Sequence, residues 1–153
     1  MTVSQLFKYI DRLTEFGTNP KIESENKIDE LKKLLFKIHS EYLNIESDFD
    51  PKDFEDEPEF NFKEIRRNVK TNFPDFGLYH IFFHSHKTVP DGGLVIRDSI
   101  NDLSDLIIDM LIIKWRFENK SEDEAIWHFQ FIMRIHSEQH IVDFLKYLKD
   151  KNG

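Results

Sequence analysis

The sequence predicts an all-α fold: a bundle of about five helices with a long acidic loop and one irregular segment. Three observations predict it. Apolar residues recur at intervals of three and four over most of the chain, helix stops and caps stand at the ends of those runs, and apolar-polar alternation is confined to one short stretch. At 153 residues the chain fits one domain, 1–153, and can bury roughly two thirds of its unfolded surface without a covalent staple.

The first helix follows from Val3, Leu6, Phe7, Ile10 and Leu13, which share one face and are followed by Gly17 and Pro20 as a stop. The second is expected from about Glu23 to Leu43. There Ile28, Leu31, Leu35, Ile38 and Tyr42 form a stripe, and Lys27, Glu30, Lys33 and Lys37 lie mostly off it. The stretch with Pro51 and Pro58 is too charged and too interrupted for a regular element, so it is a loop. Phe62 to Asn72 is a short helix with Ile65 and Val69 inward, and it ends before Pro74, which disfavours helical geometry in the preceding residue.

From Phe76 to Pro90 the pattern is mixed. Tyr79, Ile81 and Phe83 alternate with His80, Phe82 and His84, which suits a short extended piece or a buried helical turn. Pro90, Asp91, Gly92 and Gly93 form a loop by their turn chemistry. A helix then starts near Asp98 or Ser99 and runs to about Glu118. Ser121 and Glu124 next match a capping box that opens a long helix, whose stripe of Ala125, Ile126, Phe129, Ile132, Met133, His136, His140, Phe144 and Leu148 meets no breaker before Gly153.

Composition narrows the function classes. With no cysteine, disulfides, thiolate metal sites and cysteine nucleophiles are excluded. Lys8, Asp11, Arg12 and Glu15 interrupt the apolar residues at the start, unlike a signal peptide, and no apolar run approaches the ~20 residues of a membrane span. A cytoplasmic protein without membrane association is expected. The net charge of −8 disfavours nucleic acid as a partner. That charge is local: between Glu46 and Glu59, eight acids stand against Lys52 alone, which gives −7 and leaves about −1 for the rest.

Several blocks carry a resemblance. They are Phe73-Pro74-Asp75-Phe76-Gly77-Leu78-Tyr79, Asp102-Leu103-Ser104-Asp105-Leu106-Ile107-Ile108-Asp109, Glu124-Ala125-Ile126-Trp127-His128-Phe129-Gln130-Phe131, and the segment from His136 to His140. In order and spacing they resemble the bacterial family called domain of unknown function 5063, over about half the chain from Phe73 onward. Where the family often has Trp-Gly after Arg134, this chain has Ser137 and Glu138. The resemblance implies a helical bacterial domain and brings no activity, cofactor or catalytic residue with it.

Two sets of residues are ordered enough to suggest chemistry. At about 100° per residue, Asp98, Asp102, Asp105 and Asp109 fall within roughly 60° of one another, on a different arc from Leu103, Leu106, Ile107 and Met110. Carboxylates a turn apart on a bundle helix can hold a divalent cation, as in helical di-metal proteins and all-α nucleotide pyrophosphatases. The simpler reading is a solvated face favoured by the helix dipole, because no ExxE or ExxH partner is present. His136 and His140, four apart, have the spacing at which two imidazoles share a metal ion, and His80, His84 or His86 would complete a site if their segment folded back. Glu138 points about 200° away from the histidine face, so no metalloprotease order exists. Because both histidines continue an apolar stripe, packed and hydrogen-bonded histidines are the simpler reading.

The acidic segment interleaves Phe49, Phe54, Phe60 and Phe62 with its charges. A calcium loop fails on Asp53 where glycine is required and on Pro51. The surviving reading is a surface for a basic protein, with Asp48, Asp50, Asp53, Phe54, Glu55, Asp56 and Glu57 as the contact set. Against it stands neutralisation within the chain by Lys63, Arg66, Arg67 and Lys70. The expectation is thus a non-enzymatic binding or regulatory module without a cofactor. The alternative is a metal-binding domain or metal-dependent hydrolase using a divalent metal at Asp98, Asp102, Asp105, Asp109, His136 and His140.

Overall fold

The computed structural model describes residues 3–46, 57–88 and 93–152. It is the expected all-α bundle: α1 (Val3–Thr18), α2 (Lys27–Asn44), α3 (Phe62–Asn72), α4 (Ser99–Asn119) and a C-terminal rod of α5 (Glu122–Ile132), a π-helical turn (Met133–Ser137) and α6 (Glu138–Asn152). Counting that rod once, there are five helical bodies among the described residues. No helix among them is long and apolar enough to cross a membrane.

Helix ends follow local chemistry. α2 starts at Lys27, four residues later than expected, because Asn26 adopts extended geometry and its side chain accepts from the Asp29 N–H. α3 has the expected bounds, with Asn61 accepting from the Glu64 N–H. Ser121 caps α5 by accepting from Glu124 N–H at 3.1 Å, as the capping box requires. The long C-terminal helix is not uninterrupted, since the Glu138 N–H reaches back to the Met133 carbonyl in a π-turn. The buried residues Phe129, Met133, Ser137 and Ile141 are spaced by four, which drifts about 40° per step in a regular α-helix. One widened turn takes up that drift.

The mixed segment contains a strand, with a turn over residues 83–86 after it. β1 (Leu78–Phe82) pairs antiparallel with β2 (Leu94–Asp98), a strand the sequence pattern did not announce, with Tyr79 opposite Arg97 and His80 opposite Ile96. A lone hairpin is marginal in water. This one is tied down at its base, where Ser99 N–H and Oγ–H both donate to the Gly77 carbonyl and Tyr147 Oη accepts from the Gly77 N–H. Its inward Tyr79 also packs on Tyr147, with ring centres 5.1 Å apart.

The core runs through every helix, with Leu6, Ile10, Leu13, Leu35, Ile38, Leu103, Ile107, Phe129 and Phe144 at or near zero exposure. Burial of each such side chain contributes about 1.5–3 kcal/mol. The C-terminal end of α1 is held by two buried asparagines of α3. Asn72 donates to the carbonyls of Phe16 and Asn19, and Asn68 donates to that of Gly17.

Gly17 lies where α1 crosses α3 and α4, and a Cβ built there would stand 2.7 Å from Ile107 Cγ2 and 2.9 Å from Ile65 Cγ2. Alanine is normally preferred to glycine inside a helix by about 1 kcal/mol. At this crossing the sign reverses: Gly17→Ala should lower the unfolding free energy by about 1–3 kcal/mol through overpacking, as read from the denaturant midpoint.

Candidate functional site

α4 and the C-terminal rod pack with their polar stripes facing each other. The aspartate stripe is therefore not the solvated face that the simpler sequence reading assigned to it. The two elements run antiparallel, so Asp109 meets His136 and, about two turns away, Asp102 lies beside His140. The four aspartates have separate duties. Asp98 caps α4 by accepting from the N–H groups of Ile100 and Asn101, and it pairs with Arg66 at 3.0 Å. Asp102, almost fully buried, accepts from Tyr79 Oη and from Arg97 Nη2 at 3.0 Å. Asp109 accepts from Ser137 Oγ at 2.8 Å and from His136 Nδ1 at 2.7 Å. Asp105, half-buried between them, makes no hydrogen bond through its carboxylate among the described residues.

The two histidines close the network. Their Nε2 atoms are 3.0 Å apart, and Arg97 Nη2 lies 2.9 Å from His140 Nδ1. Proton positions follow from what each group can do. A guanidinium only donates, so His140 Nδ1 must accept and its proton sits on Nε2. That Nε2–H donates to His136 Nε2, which leaves His136 protonated on Nδ1 and donating to Asp109. One chain of bonds thus runs from Asp109 through both imidazoles, in their neutral forms, to Arg97, Asp102 and Tyr79.

Burial dominates the acidities. It pushes His140 down to about 4, with His136 and Arg97 adding to the effect and Asp102 opposing it. Burial likewise raises the carboxyls of Asp105, Asp109 and Asp143 above the ordinary carboxylate range, against the pull of His136 on the first two and of Gln139 and Arg97 on the third. Tyr79 is raised by burial and by its bond to Asp102, so it stays a donor. Asp143 adds a further carboxylate; its Oδ1 takes a bond from Gln139, while its buried Oδ2 has no hydrogen-bond partner among the described residues. Beside it opens a groove of about 410 Å³, lined by Tyr79, Asp143, Lys146 and Tyr147 among others.

This arrangement can hold and relay protons, and it can draw in a cation. Among the described residues it presents no accessible nucleophile: Ser137, whose hydroxyl donates to Asp109, is fully buried, and the unprotonated nitrogen of His136 accepts from His140. No three His, Asp or Glu side chains among the described residues converge as a ready metal site. His80, His84 and His86 are exposed on the hairpin and do not join the pair. Of the acidic contact set, Asp48, Asp50, Asp53, Phe54, Glu55 and Asp56 lie outside the described residues. Glu57 accepts from the buried Arg116 at 2.6 Å. Pattern reasoning missed Tyr79, Arg97, Ser137 and Asp143; only the alternation around Tyr79 pointed toward any of them.

No protein-family model, no curated protein and no solved structure matches this chain.

The proton assignment has a spectroscopic signature. At pH 7, long-range nitrogen-proton correlation should show His140 as the Nε2–H tautomer and His136 as Nδ1–H; the opposite pair would refute the assignment. Stability should also depend on pH. The unfolded chain binds a proton at His140 near 6.5 and the folded chain only near 4, so the stabilisation is complete above 6.5 and is lost as pH falls toward 4. His128, pushed down to about 4 by burial and then by Arg116, against Glu57, acts in the same direction. The raised carboxyls act oppositely. Each histidine contributes a slope of at most about 1.4 kcal/mol per pH unit, so denaturant midpoints should fall between pH 6.5 and 5 and fall less steeply in His128→Gln.

Proposed function

We propose that the protein is a non-enzymatic binding or regulatory module whose acidic segment meets a basic protein partner. The observation that carries this reading is the concentration of charge, with eight acids against one lysine between Glu46 and Glu59 and Phe49 and Phe54 interleaved. Such a segment steers a basic surface by its field and offers aromatic side chains for burial at contact.

Geometry at its two ends supports the reading. The Ile45 carbonyl accepts from Gln130, and Glu57 is paired with Arg116, so the segment is attached at both ends to the body of the bundle. Internal neutralisation by α3 is weakened because Arg66 is already committed to Asp98 and Asn101. Glu46 and Glu59 are exposed. The interior network, whose serine hydroxyl beside a carboxylate, that of Ser137, is fully buried, gives catalysis no comparable support. A cytoplasmic location, a bacterial origin and membership of the domain of unknown function 5063 family are part of the same proposal.

The test uses the tagged full chain to recover partners from a cell extract at two salt concentrations. Basic proteins should be retained at low salt and released as ionic strength rises past about 0.1–0.2 M, where the Debye length shrinks below 10 Å. Replacing Asp53, Glu55 and Asp56 by their amides, with Glu57 left to hold Arg116, should reduce that recovery by about tenfold. Equal recovery by the neutralised variant would end the proposal.

A further inference from the structure

Two imidazole nitrogens 3.0 Å apart suit a hydrogen bond, and they also suit one shared ion. Ligands about 2.1 Å from a metal stand about 3 Å apart at the right angles of an octahedral or square-planar ion, with imidazole ring centres about 4.5 Å apart. At the tetrahedral angle of zinc they stand about 3.4 Å apart, a few tenths of an ångström further. A straight N–H···N bond of the same length would hold the centres beyond about 5 Å. The centres of His136 and His140 are 4.4 Å apart with the rings at 85°, closer than a straight bond allows and near the spacing of two ligands of one ion.

We propose that His136 and His140 bind, through their Nε2 atoms, one divalent transition ion of the zinc or nickel class, with Asp105 and water completing its shell. The surroundings have the composition such an ion requires. Asp102, Asp105, Asp109 and Asp143 face a single guanidinium, Arg97, leaving a formal −3 with both imidazoles neutral. Asp109 holds the outer nitrogen of His136, the carboxylate-histidine arrangement that orients a metal ligand. Asp105 lies one turn from both Asp102 and Asp109 on the same face, with its carboxylate not otherwise hydrogen-bonded among the described residues. It reaches the ion by rotating its side chain, since no third ligand converges on the point in the present conformation. The π-turn that ends at Ser137 spans His136, and such turns recur at binding sites.

Binding requires one rearrangement. The His140 Nε2–H bond breaks, and an N–H bond forms at Nδ1 by exchange through water, with no net proton gained or lost. Arg97 then keeps both bonds to Asp102 and releases His140, whose new Nδ1–H faces Asp102 Oδ1, now 3.8 Å away. Arg97 lies on the hairpin, so the ion changes what anchors that element.

Zinc or cobalt(II) titrated into the full chain, followed by calorimetry and cobalt absorption, tests the site. One equivalent should bind; His136→Asn should raise the dissociation constant at least about tenfold, and Asp105→Asn should raise it by a smaller factor. His84→Asn/His86→Asn, on the exposed hairpin, should leave it unchanged. Zinc should also switch His140 from the Nε2–H to the Nδ1–H tautomer. The proposal falls if nothing binds at about 1 mM, if binding survives His136→Asn, if the hairpin variant abolishes it, or if His140 keeps its tautomer at saturation. His136 is 42 % exposed at the rim, so its variant should retain the wild-type circular dichroism spectrum, while loss of the bonds to Asp109 and His140 lowers the denaturant midpoint without unfolding the chain. The Asp53, Glu55 and Asp56 amide variant should bind the ion normally, which separates this site from the partner-binding reading.

Discussion

Arg97 carries a permanent charge and has no lone pair, and much of the interior polar arrangement follows from that constraint. A guanidinium in a half-buried position must find acceptors for its N–H groups or bear the full cost of desolvation. Arg97 finds Asp102 and His140 Nδ1, and in doing so joins β2 to α4 and α6. Because it can only donate, it fixes the tautomer of His140, then through Nε2 that of His136, and through Nδ1 the bond to Asp109. Breaking such a buried pair by removing one partner strands the other, so the coupling is more costly to disturb than its net contribution suggests.

The π-turn supplies the register on which this arrangement depends. Ser137, fully buried, donates to Asp109, while the next residue, Glu138, points to the other side and meets His39 of α2 at 2.8 Å. The rod therefore addresses α4 with one residue and α2 with its neighbour, a divergence that follows from the roughly 100° between adjacent helical positions.

Much of the fold could be read from the sequence because helix periodicity, caps and proline stops are local. Asn61, Ser121 and Asp98 each cap a helix where the pattern placed a start. What escaped was non-local. Nothing in Leu94 to Asp98 announces a strand until β1 is present to pair with it, and a two-stranded hairpin draws its stability from docking on Tyr147 and Ser99. The candidate site divides in the same way. Asp102, Asp105, Asp109, His136 and His140 stood out by spacing on their own helices, whereas Tyr79, Arg97 and Asp143 became relevant only once three elements met. The solvated reading of the aspartate stripe failed for the same reason: periodicity shows that a face is polar, and only tertiary packing shows whether water or protein covers it.

The two acidic regions of this chain are physically different, and that difference bears on function. Charge between Glu46 and Glu59 is concentrated in sequence with only one lysine among it, and its described ends, Glu46 and Glu59, are exposed, where salt screens their interactions. Charge between α4 and the rod is enclosed, where burial raises the carboxyls of Asp105, Asp109 and Asp143 and lowers His140. An enclosed excess of carboxylates is relieved by taking up protons or by a cation, and two imidazole nitrogens 3.0 Å apart select among cations for one that accepts nitrogen ligands. In the proposed readings, the segment's charge meets a large basic surface and the enclosed charge meets a small ion. Arg97 links the inner site to the hairpin by a bond that an ion at the histidines would displace.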